Sequence, residues 1–316
     1  MRRRRRPRAL DTIVGVGVAA VAVGATIHAL TRSPAEHSTE GPATLELSAA
    51  ERVEIRRALQ SVDARGTLVF ARPGCRLAGF DLPALTSFRD LDVRACFAAV
   101  SPRSPASSGW FVWRRPLYLF ARCVGGGIEV SASGGQSVRF VRGCAPAWRP
   151  DGTLTYVRRG EATRFPHAGR ATVVLGRYEL DAAFGADRRP RVRELGWATD
   201  DRVAALVELD RGATVVLAFF VRGELTNVRP VPRGSWRLAV RPRRHEAVVI
   251  DRSSGEAFKL AGRADVVPLG AGALSASWSP DGRLLALVRR GRIELVDPGD
   301  ASRIRLSVAG RMVAWR

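Results

Sequence analysis

The spacing of the apolar positions changes along the chain, and its first part predicts a membrane helix. From Ile13 to Leu30 the sequence is almost entirely apolar and contains no charged side chain (IVGVGVAAVAVGATIHAL). This length is near the lower limit of about 17–25 residues for a helix that spans a bilayer. We therefore predict a transmembrane helix over residues 13–30.

The charges beside this run predict its orientation. Residues 1–12 begin MRRRRRPR, so basic side chains lie on the N-terminal side of the run. By the positive-inside rule, residues 1–12 form a cytoplasmic basic tail, and the chain after residue 30 lies outside the cytoplasm as a single-pass protein of the cell membrane.

A cleaved signal peptide has the same layout and is the competing interpretation. The apolar run is longer than a typical signal core. Cleavage after Ala29 would also place bulky Ile27 where a small residue is expected. An uncleaved anchor is therefore favoured.

Residues 31–64 predict a linker and a helix. Residues 31–46 are rich in Pro, Ser, Thr and Glu and lack an apolar period, which is typical of a linker. Ser48 and Glu51 have the spacing of a capping box, and an imperfect apolar stripe follows. We predict a short capped helix over residues 47–64 that packs on the following domain; the alternative is a helix that binds a partner.

From Gly66 onward, short apolar runs alternate with Gly, Pro and Asp, which is typical of an all-β domain. Two stretches nearly repeat each other, residues 145–157 (APAWRPDGTLTYV) and residues 275–288 (SASWSPDGRLLALV). Weaker copies recur, and the mean spacing of about 42 residues suits a four-stranded propeller blade. The tryptophan position of the repeat falls at Val100, Trp148, Trp197, Val240, Trp278 and Trp315.

This repeat resembles the Pro-Asp-Gly propeller repeat of the TolB translocation protein and its relatives. The resemblance covers residues 65–316 and is specific in two copies. These copies contain Trp148 with Pro150, Asp151 and Gly152, and Trp278 with Pro280, Asp281 and Gly282.

The two ends of the repeat region complement each other. The last copy, residues 312–315, supplies only a first strand, whereas residues 67–90 resemble a blade that lacks one. Circular closure removes open sheet edges. The predicted fold is therefore an all-β, six-bladed β-propeller over residues 65–316, closed by pairing of the C-terminal strand with the N-terminal blade and preceded by the transmembrane helix and the short α-helix.

The tryptophans of the repeat have a structural role in this prediction. We expect Trp148, Trp197, Trp278 and Trp315 to pack between neighbouring blades, because aromatic side chains bury a large area where sheets meet. Stacking of a ligand on these rings is the alternative.

Four cysteines, Cys75, Cys96, Cys123 and Cys144, are candidates for disulfides in an extracytoplasmic domain. Three pairings are possible. We expect Cys75–Cys96 with Cys123–Cys144, whose loops close easily. The alternative bond Cys96–Cys144 would join equivalent strands of adjacent blades. No C-x-x-C spacing is present, so no metal site is predicted.

The formal net charge of +21 raises the possibility of nucleic acid or an anionic surface as partner. However, Lys259 is the only lysine, so the excess of arginine reflects a bias of the whole sequence. We expect no nucleic-acid partner. Contact with anionic lipid or wall polymer outside the membrane is a subsidiary hypothesis.

No motif of known catalytic chemistry occurs in the sequence: there is no G-x-S-x-G, H-E-x-x-H or Walker-type loop. We therefore predict no catalytic residue and no cofactor. The predicted function is a non-catalytic, membrane-tethered extracytoplasmic propeller that binds an envelope protein, peptide or ligand. The alternatives are a glycan-binding or hydrolytic propeller with a dispersed site, and a secreted propeller after signal cleavage.

Overall fold

Runs of Val, Leu, Ala and Phe separated by Gly- and Asp-containing turns form short antiparallel strands in the computed structural model of the protein. The structure describes residues 48–59, 63–72, 77–85, 99–100, 119–132, 137–164, 172–232, 234, 236–261, 265–299 and 302–316. These residues belong to one compact unit, Pro42–Arg316.

The chain begins with helix α1 (Ala49–Leu59), β1 (Gly66–Ala71) and β2 (Leu77–Leu82). Blade 1 consists of β3 (Ala99–Val100), β4 (Leu119–Val124), β5 (Gly127–Ala132) and β6 (Ser137–Arg142). Blade 2 consists of β7 (Cys144–Trp148), β8 (Leu154–Arg158), β9 (Glu161–Arg164) and β10 (Thr172–Leu175). Helix α2 (Arg177–Phe184) connects it to blade 3.

Blade 3 consists of β11 (Arg191–Thr199), β12 (Arg202–Leu209), β13 (Thr214–Val221) and β14 (Glu224–Val231). Blade 4 consists of β15 (Trp236–Val240), β16 (Ala247–Asp251), β17 (Ala257–Ala261) and β18 (Asp265–Gly270). Blade 5 consists of β19 (Ala273–Trp278), β20 (Leu285–Arg289), β21 (Arg292–Val296) and β22 (Arg303–Ala309). The last strand is β23 (Met312–Trp315).

The first strand of each blade contacts the first strand of the next, as in a β-propeller. The prediction of six blades is wrong in number: the described residues form five four-stranded blades and one three-stranded sheet of order β2-β1-β23, here called the closing sheet. Residues 67–90 and 312–315 were expected to form a sixth blade, but the described part of this region forms only the closing sheet. Strand β2 ends at Leu82 and a turn follows, and residues 86–98 lie outside the described ranges.

The closing sheet joins the two ends of the domain. Leu68 in β1 is the register partner of Trp315 in β23, and the Thr67 amide donates to the Arg316 carbonyl at 2.8 Å. Gly66 has φ +104°, and a Cβ there would collide with the Arg316 carbonyl, so the contact requires glycine. The C-terminal strand therefore pairs with the N-terminal segment, as the sequence predicted.

Separate apolar clusters fill the spaces between neighbouring sheets. Strand β16 is buried from Ala247 to Ile250 because blades 3 and 5 cover both of its faces. Helix α1 contributes Ile55 and Leu59 to the cluster shared by blade 5 and the closing sheet. This helix occupies part of the predicted range of residues 47–64 and packs on the domain.

The predicted tail (1–12), transmembrane helix (13–30) and linker (31–46) all lie outside the described residues, so they stay predictions. Of the helices in the described ranges, none has the length and apolar character needed to cross a membrane.

Candidate functional site

The tryptophans of the repeat lie at junctions between sheets. Trp278 is 4% exposed, and its Nε1 donates to the Ala239 carbonyl of blade 4 at 3.0 Å. Trp197 donates through Nε1 to Thr155 Oγ1 of blade 2 at 2.8 Å. In both cases protein atoms of the preceding blade, rather than a ligand, satisfy the indole N–H.

The other two tryptophans occupy comparable positions. Trp315 is buried, and its Nε1 donates to the Arg65 carbonyl at 2.9 Å. Trp148 is partly buried and packs against the apolar cluster of blades 1 and 2. These rings have protein neighbours, which favours a packing role over ligand stacking.

Pro150-Asp151-Gly152 and Pro280-Asp281-Gly282 both form tight turns. The two glycines have φ of +85° and +73°, a region that favours glycine. Asp151 Oδ1 accepts the Thr153 amide at 2.7 Å, and Asp281 Oδ1 accepts the Arg283 amide at 3.0 Å. Both carboxylates are therefore used to fix their own turns.

Hydrogen bonding also lowers the pKa of Asp281. Partial burial acts to raise its pKa. The Ser279 hydroxyl, which donates at 2.6 Å, and the Arg283 amide act to lower it, and together the lowering causes outweigh burial. The net result is a pKa below the usual value, so the turn stabilises the ionised form.

Two arginines missed by the sequence analysis connect successive blades. The Arg149 guanidinium of blade 2 lies over the Trp197 ring of blade 3, 4.8 Å from the centroid. The Arg241 guanidinium of blade 4 lies over the Trp278 ring of blade 5, at 5.1 Å. Each also donates to a backbone carbonyl in the next blade, Asp200 and Gly282 respectively. We call each pair an Arg–Trp latch.

The latches have a signal in the sequence. Arg149 directly follows Trp148, and Arg241 directly follows Val240, so both arginines occupy the same position of the repeat. The arginine could be recognised at this position of the repeat. The tryptophan that it contacts lies in the next copy, about 40 residues later, so the contact itself could not be predicted.

A disulfide joins Cys123 in β4 to Cys144 in β7, with Cα atoms 5.1 Å apart. This bond was predicted, and it excludes the alternative pairing of Cys144 with Cys96. The structure adds that it ties blade 1 to blade 2. Cys75 and Cys96 lie outside the described residues, so their bond stays a prediction.

Helix α2 forms an exposed surface at the junction of blades 2 and 3. Tyr178 on α2 is 83% exposed, Val173 on β10 is 49% exposed and Val228 on β14 is 41% exposed. Both β10 and β14 contact α2. We call these three residues the α2 surface. Large apolar side chains exposed together are typical of interaction sites.

The helix is fixed to both blades. Leu180 is buried in the cluster shared by blades 2 and 3, and Phe184 packs edge-on against Phe220 of β13 with centroids 6.4 Å apart. Glu161 Oε1 accepts the Arg177 amide at 3.0 Å at the start of the helix. Tyr178 is therefore presented on a rigid support. The sequence analysis missed α2, although residues 177–184 (RYELDAAF) are rich in helix-forming residues.

A cavity of about 450 Å³ lies at the junction of blades 4 and 5. The residues that line it are Ala271, Arg289, Arg290, Glu294, Arg303 and Arg305. We call it the arginine pocket. Sequence analysis missed it because its arginines come from separate strands and turns that only the folded blades bring together.

Glu294 is the one acidic residue of this lining, and it is only 3% exposed. Its carboxylate lies 3.6 Å from Arg289 Nε and 3.3 Å from Arg305 Nη2. Burial lowers the pKa of Arg289; Glu294 opposes that shift, and the neighbouring arginines add to it. Since four arginines and one glutamate line the pocket, its net charge is positive.

Within the described ranges, no group of three or more His, Cys, Asp or Glu side chains is arranged to hold a metal ion. The two candidate sites in the described residues are therefore the α2 surface and the arginine pocket. Both are suited to binding.

Comparison with known proteins supports the fold. No protein-family model matches the chain, and a search of curated proteins finds no match. TolB from Acinetobacter baumannii matches with a TM-score of 0.52 and 18% identity, over 83% of this chain and 69% of that one. The propeller domain of Cps50 (Swd1) from Myceliophthora thermophila matches with a TM-score of 0.44 and 15% identity, over 80% and 90%. The chain has a TolB-like propeller fold.

Proposed function

We propose that this protein is a non-catalytic β-propeller, tethered to the membrane by residues 13–30, that binds an envelope protein or peptide outside the cytoplasm. The observation that supports binding most directly is the α2 surface. Tyr178 is 83% exposed on a helix that two blades hold, and Val173 and Val228 are exposed on the two strands that contact this helix. Tyrosine is enriched at protein interfaces because it combines a large apolar area with a polar tip.

The partner should present an apolar group to Tyr178. Two other exposed apolar side chains, Val266 on β18 and Leu274 on β19, lie in other blades and supply matched controls. The placement outside the cytoplasm is supported by the Cys123–Cys144 disulfide, because such bonds persist mainly in oxidising compartments.

Photo-crosslinking in the native host tests this proposal. A photoreactive amino acid would replace Tyr178 in one strain and Val266 in another. We expect a discrete adduct of the full-length chain with one envelope protein at position 178 and none at position 266. Equal adducts at both positions, or none at position 178, would contradict the proposal.

A subsidiary proposal concerns anionic lipid or wall polymer. The net charge of +21 supports it, because basic proteins near an anionic surface gain electrostatic binding energy. Such binding should weaken steeply with salt. Association of the chain with anionic vesicles that does not change between low and high salt would contradict it.

A further inference from the structure

The arginine pocket has a strong excess of positive charge. The lining contains four arginines and one glutamate, so three positive charges stay uncompensated within it. Arginine stays protonated at every physiological pH. A cavity with this lining attracts a ligand of opposite charge and disfavours cations.

The guanidinium groups are held in position by the fold. The Leu269 carbonyl, at the end of blade 4, accepts hydrogen bonds from both Arg289 and Arg303; the second measures 2.9 Å. Glu294 fixes Arg305 from the other side. Arg289 and Arg303 therefore lose little conformational entropy when a ligand binds, whereas the Arg305 side chain is 70% exposed.

A Gly-Ala-Gly turn between blades 4 and 5 forms one wall of the pocket. Gly270 has φ +91°, and a Cβ there would lie 3.0 Å from Arg289 Nη1. Gly272 has φ +80°, and a Cβ there would lie 3.2 Å from Arg290 Cγ. The two glycines therefore allow the backbone to approach the arginines closely.

Glu294 compensates one arginine of the lining within the protein. Arg289 Nε and Glu294 Oε2 are buried and form an ion pair at 3.6 Å. The remaining positive charge of the lining therefore lies on the other arginines.

We propose that the arginine pocket binds a phosphate group. The planar guanidinium fork matches the oxygen geometry of phosphate, and a dianion offsets more of the three excess charges than a monocarboxylate does. The cavity is larger than phosphate itself, so it has room for the adjoining part of a phosphate ester. This site is remote in sequence from the α2 surface and does not depend on the proposed protein partner.

Calorimetric titration of the full-length chain in detergent, at constant ionic strength, tests the proposal. The ligands are inorganic phosphate, glycerol 3-phosphate and acetate. We expect saturable binding of the first two and much weaker binding of acetate. Tighter binding of glycerol 3-phosphate than of phosphate indicates a soluble ester as the source. A short-chain phosphatidylglycerol, soluble in the same detergent, is the fourth ligand. Saturable binding of inorganic phosphate together with stronger binding of this lipid than of glycerol 3-phosphate indicates a lipid headgroup.

The variant Arg303→Gln/Arg305→Gln should bind phosphate at least about tenfold more weakly, the effect of losing one charge-assisted hydrogen bond. Arg292→Gln removes an exposed arginine from β21, outside the pocket lining, and is the matched control. It should bind like the native chain. Equal phosphate binding by the double variant and the control would overturn the proposal.

Arg305→Gln alone provides an independent test should the double variant fail to fold, because the Arg305 side chain is 70% exposed. It removes one positive charge of the lining, so phosphate should bind at least about fivefold more weakly. Native-like binding by Arg305→Gln, or absence of saturable phosphate binding by the native chain, would contradict the site. Loss of the crosslink at Tyr178 has no bearing on these titrations, so the two proposals fail separately.

Discussion

The junction between blades 2 and 3 and the junction between blades 4 and 5 share their inner construction and differ at their outermost strands. Each contains an Arg–Trp latch, Arg149 with Trp197 in the first and Arg241 with Trp278 in the second. At the outermost strands the first junction bears helix α2 with exposed Tyr178, whereas the second encloses the arginine pocket. The inner strands thus supply a common scaffold, and the outer strands and connections supply the individual binding surfaces.

The two junctions also differ in how tightly they hold their tryptophan. Trp278 is buried and donates to a backbone carbonyl, whereas Trp197 is only partly buried and donates to the Thr155 hydroxyl. Trp278→Ala should therefore lower the free energy of unfolding by about 3–5 kcal/mol, and Trp197→Ala by less. Chemical denaturation measures both. Leu274→Ala, at an exposed position of blade 5, is the control and should change stability by less than about 0.5 kcal/mol. A smaller loss for Trp278 than for Trp197 would contradict the comparison.

The latches should contribute similar energies at both junctions. Arg241→Met and Arg149→Met retain most of the side-chain volume but lose the cation–π contact and the hydrogen bond to the next blade. They also lose an ion pair within their own blade, with Glu246 and Asp151 respectively. Each should cost about 1–2 kcal/mol of unfolding free energy. Arg244→Met, at an exposed position near Arg241, is the control and should be close to neutral.

A double-mutant cycle isolates the latch itself. Arg241→Met and Trp278→Ala remove the two partners of one contact, so the combined loss should be smaller than the sum of the single losses. Additivity within about 0.3 kcal/mol would show that the ring and the guanidinium stabilise the junction independently.

These features show how far the sequence predicts the molecule. The repeat of Trp148 and Trp278 predicted a propeller, and the incomplete copy at residues 312–315 predicted the closing pair with β1. Both features could be predicted because each is contained in one copy of the repeat or in the two ends of the domain. The number of blades was overestimated because residues 67–90 and 312–315 were counted as a full blade, whereas the described residues there form a three-stranded sheet.

The binding surfaces could not be predicted in the same way. Helix α2 is one short insertion that belongs to no repeat. Five of the six residues that line the arginine pocket come from three strands of blade 5 and the turn after β20, and Ala271 comes from the connection between blades 4 and 5. The arginine-rich composition concealed it further, since every region of the chain contains arginine.

A smaller effect distinguishes the Pro-Asp-Gly turn of blade 5. The pKa of Asp281 is lowered in the folded chain, so its stabilising contribution is present above the unfolded pKa of about 3.9 and is lost as pH falls through the lower folded value. Because Asp281 is largely exposed, the contribution should be less than about 1 kcal/mol. The stability difference between the native chain and Asp281→Asn should shrink between about pH 5 and pH 3. A difference that is constant over this range would contradict the role of the ionised carboxylate.

The smallest expected change in stability is at the α2 surface. Tyr178→Asp should leave the free energy of unfolding unchanged within about 0.5 kcal/mol, because the side chain is 83% exposed. The same variant should abolish partner binding if Tyr178 is the anchor. A loss of more than about 1 kcal/mol in thermal or chemical unfolding would instead assign Tyr178 to the packing of α2.

The central claim, a propeller tethered outside the cytoplasm, is tested most directly by thiol labelling in the native host. Intact cells would be treated with a membrane-impermeant maleimide before and after reduction, and the peptides that contain Cys123 and Cys144 would be identified by mass spectrometry. We predict labelling of both cysteines only after reduction, on a full-length chain in the membrane fraction. If Cys123 and Cys144 are labelled without reduction, but only once the cells have been lysed, the domain lies in the cytoplasm and the account is contradicted.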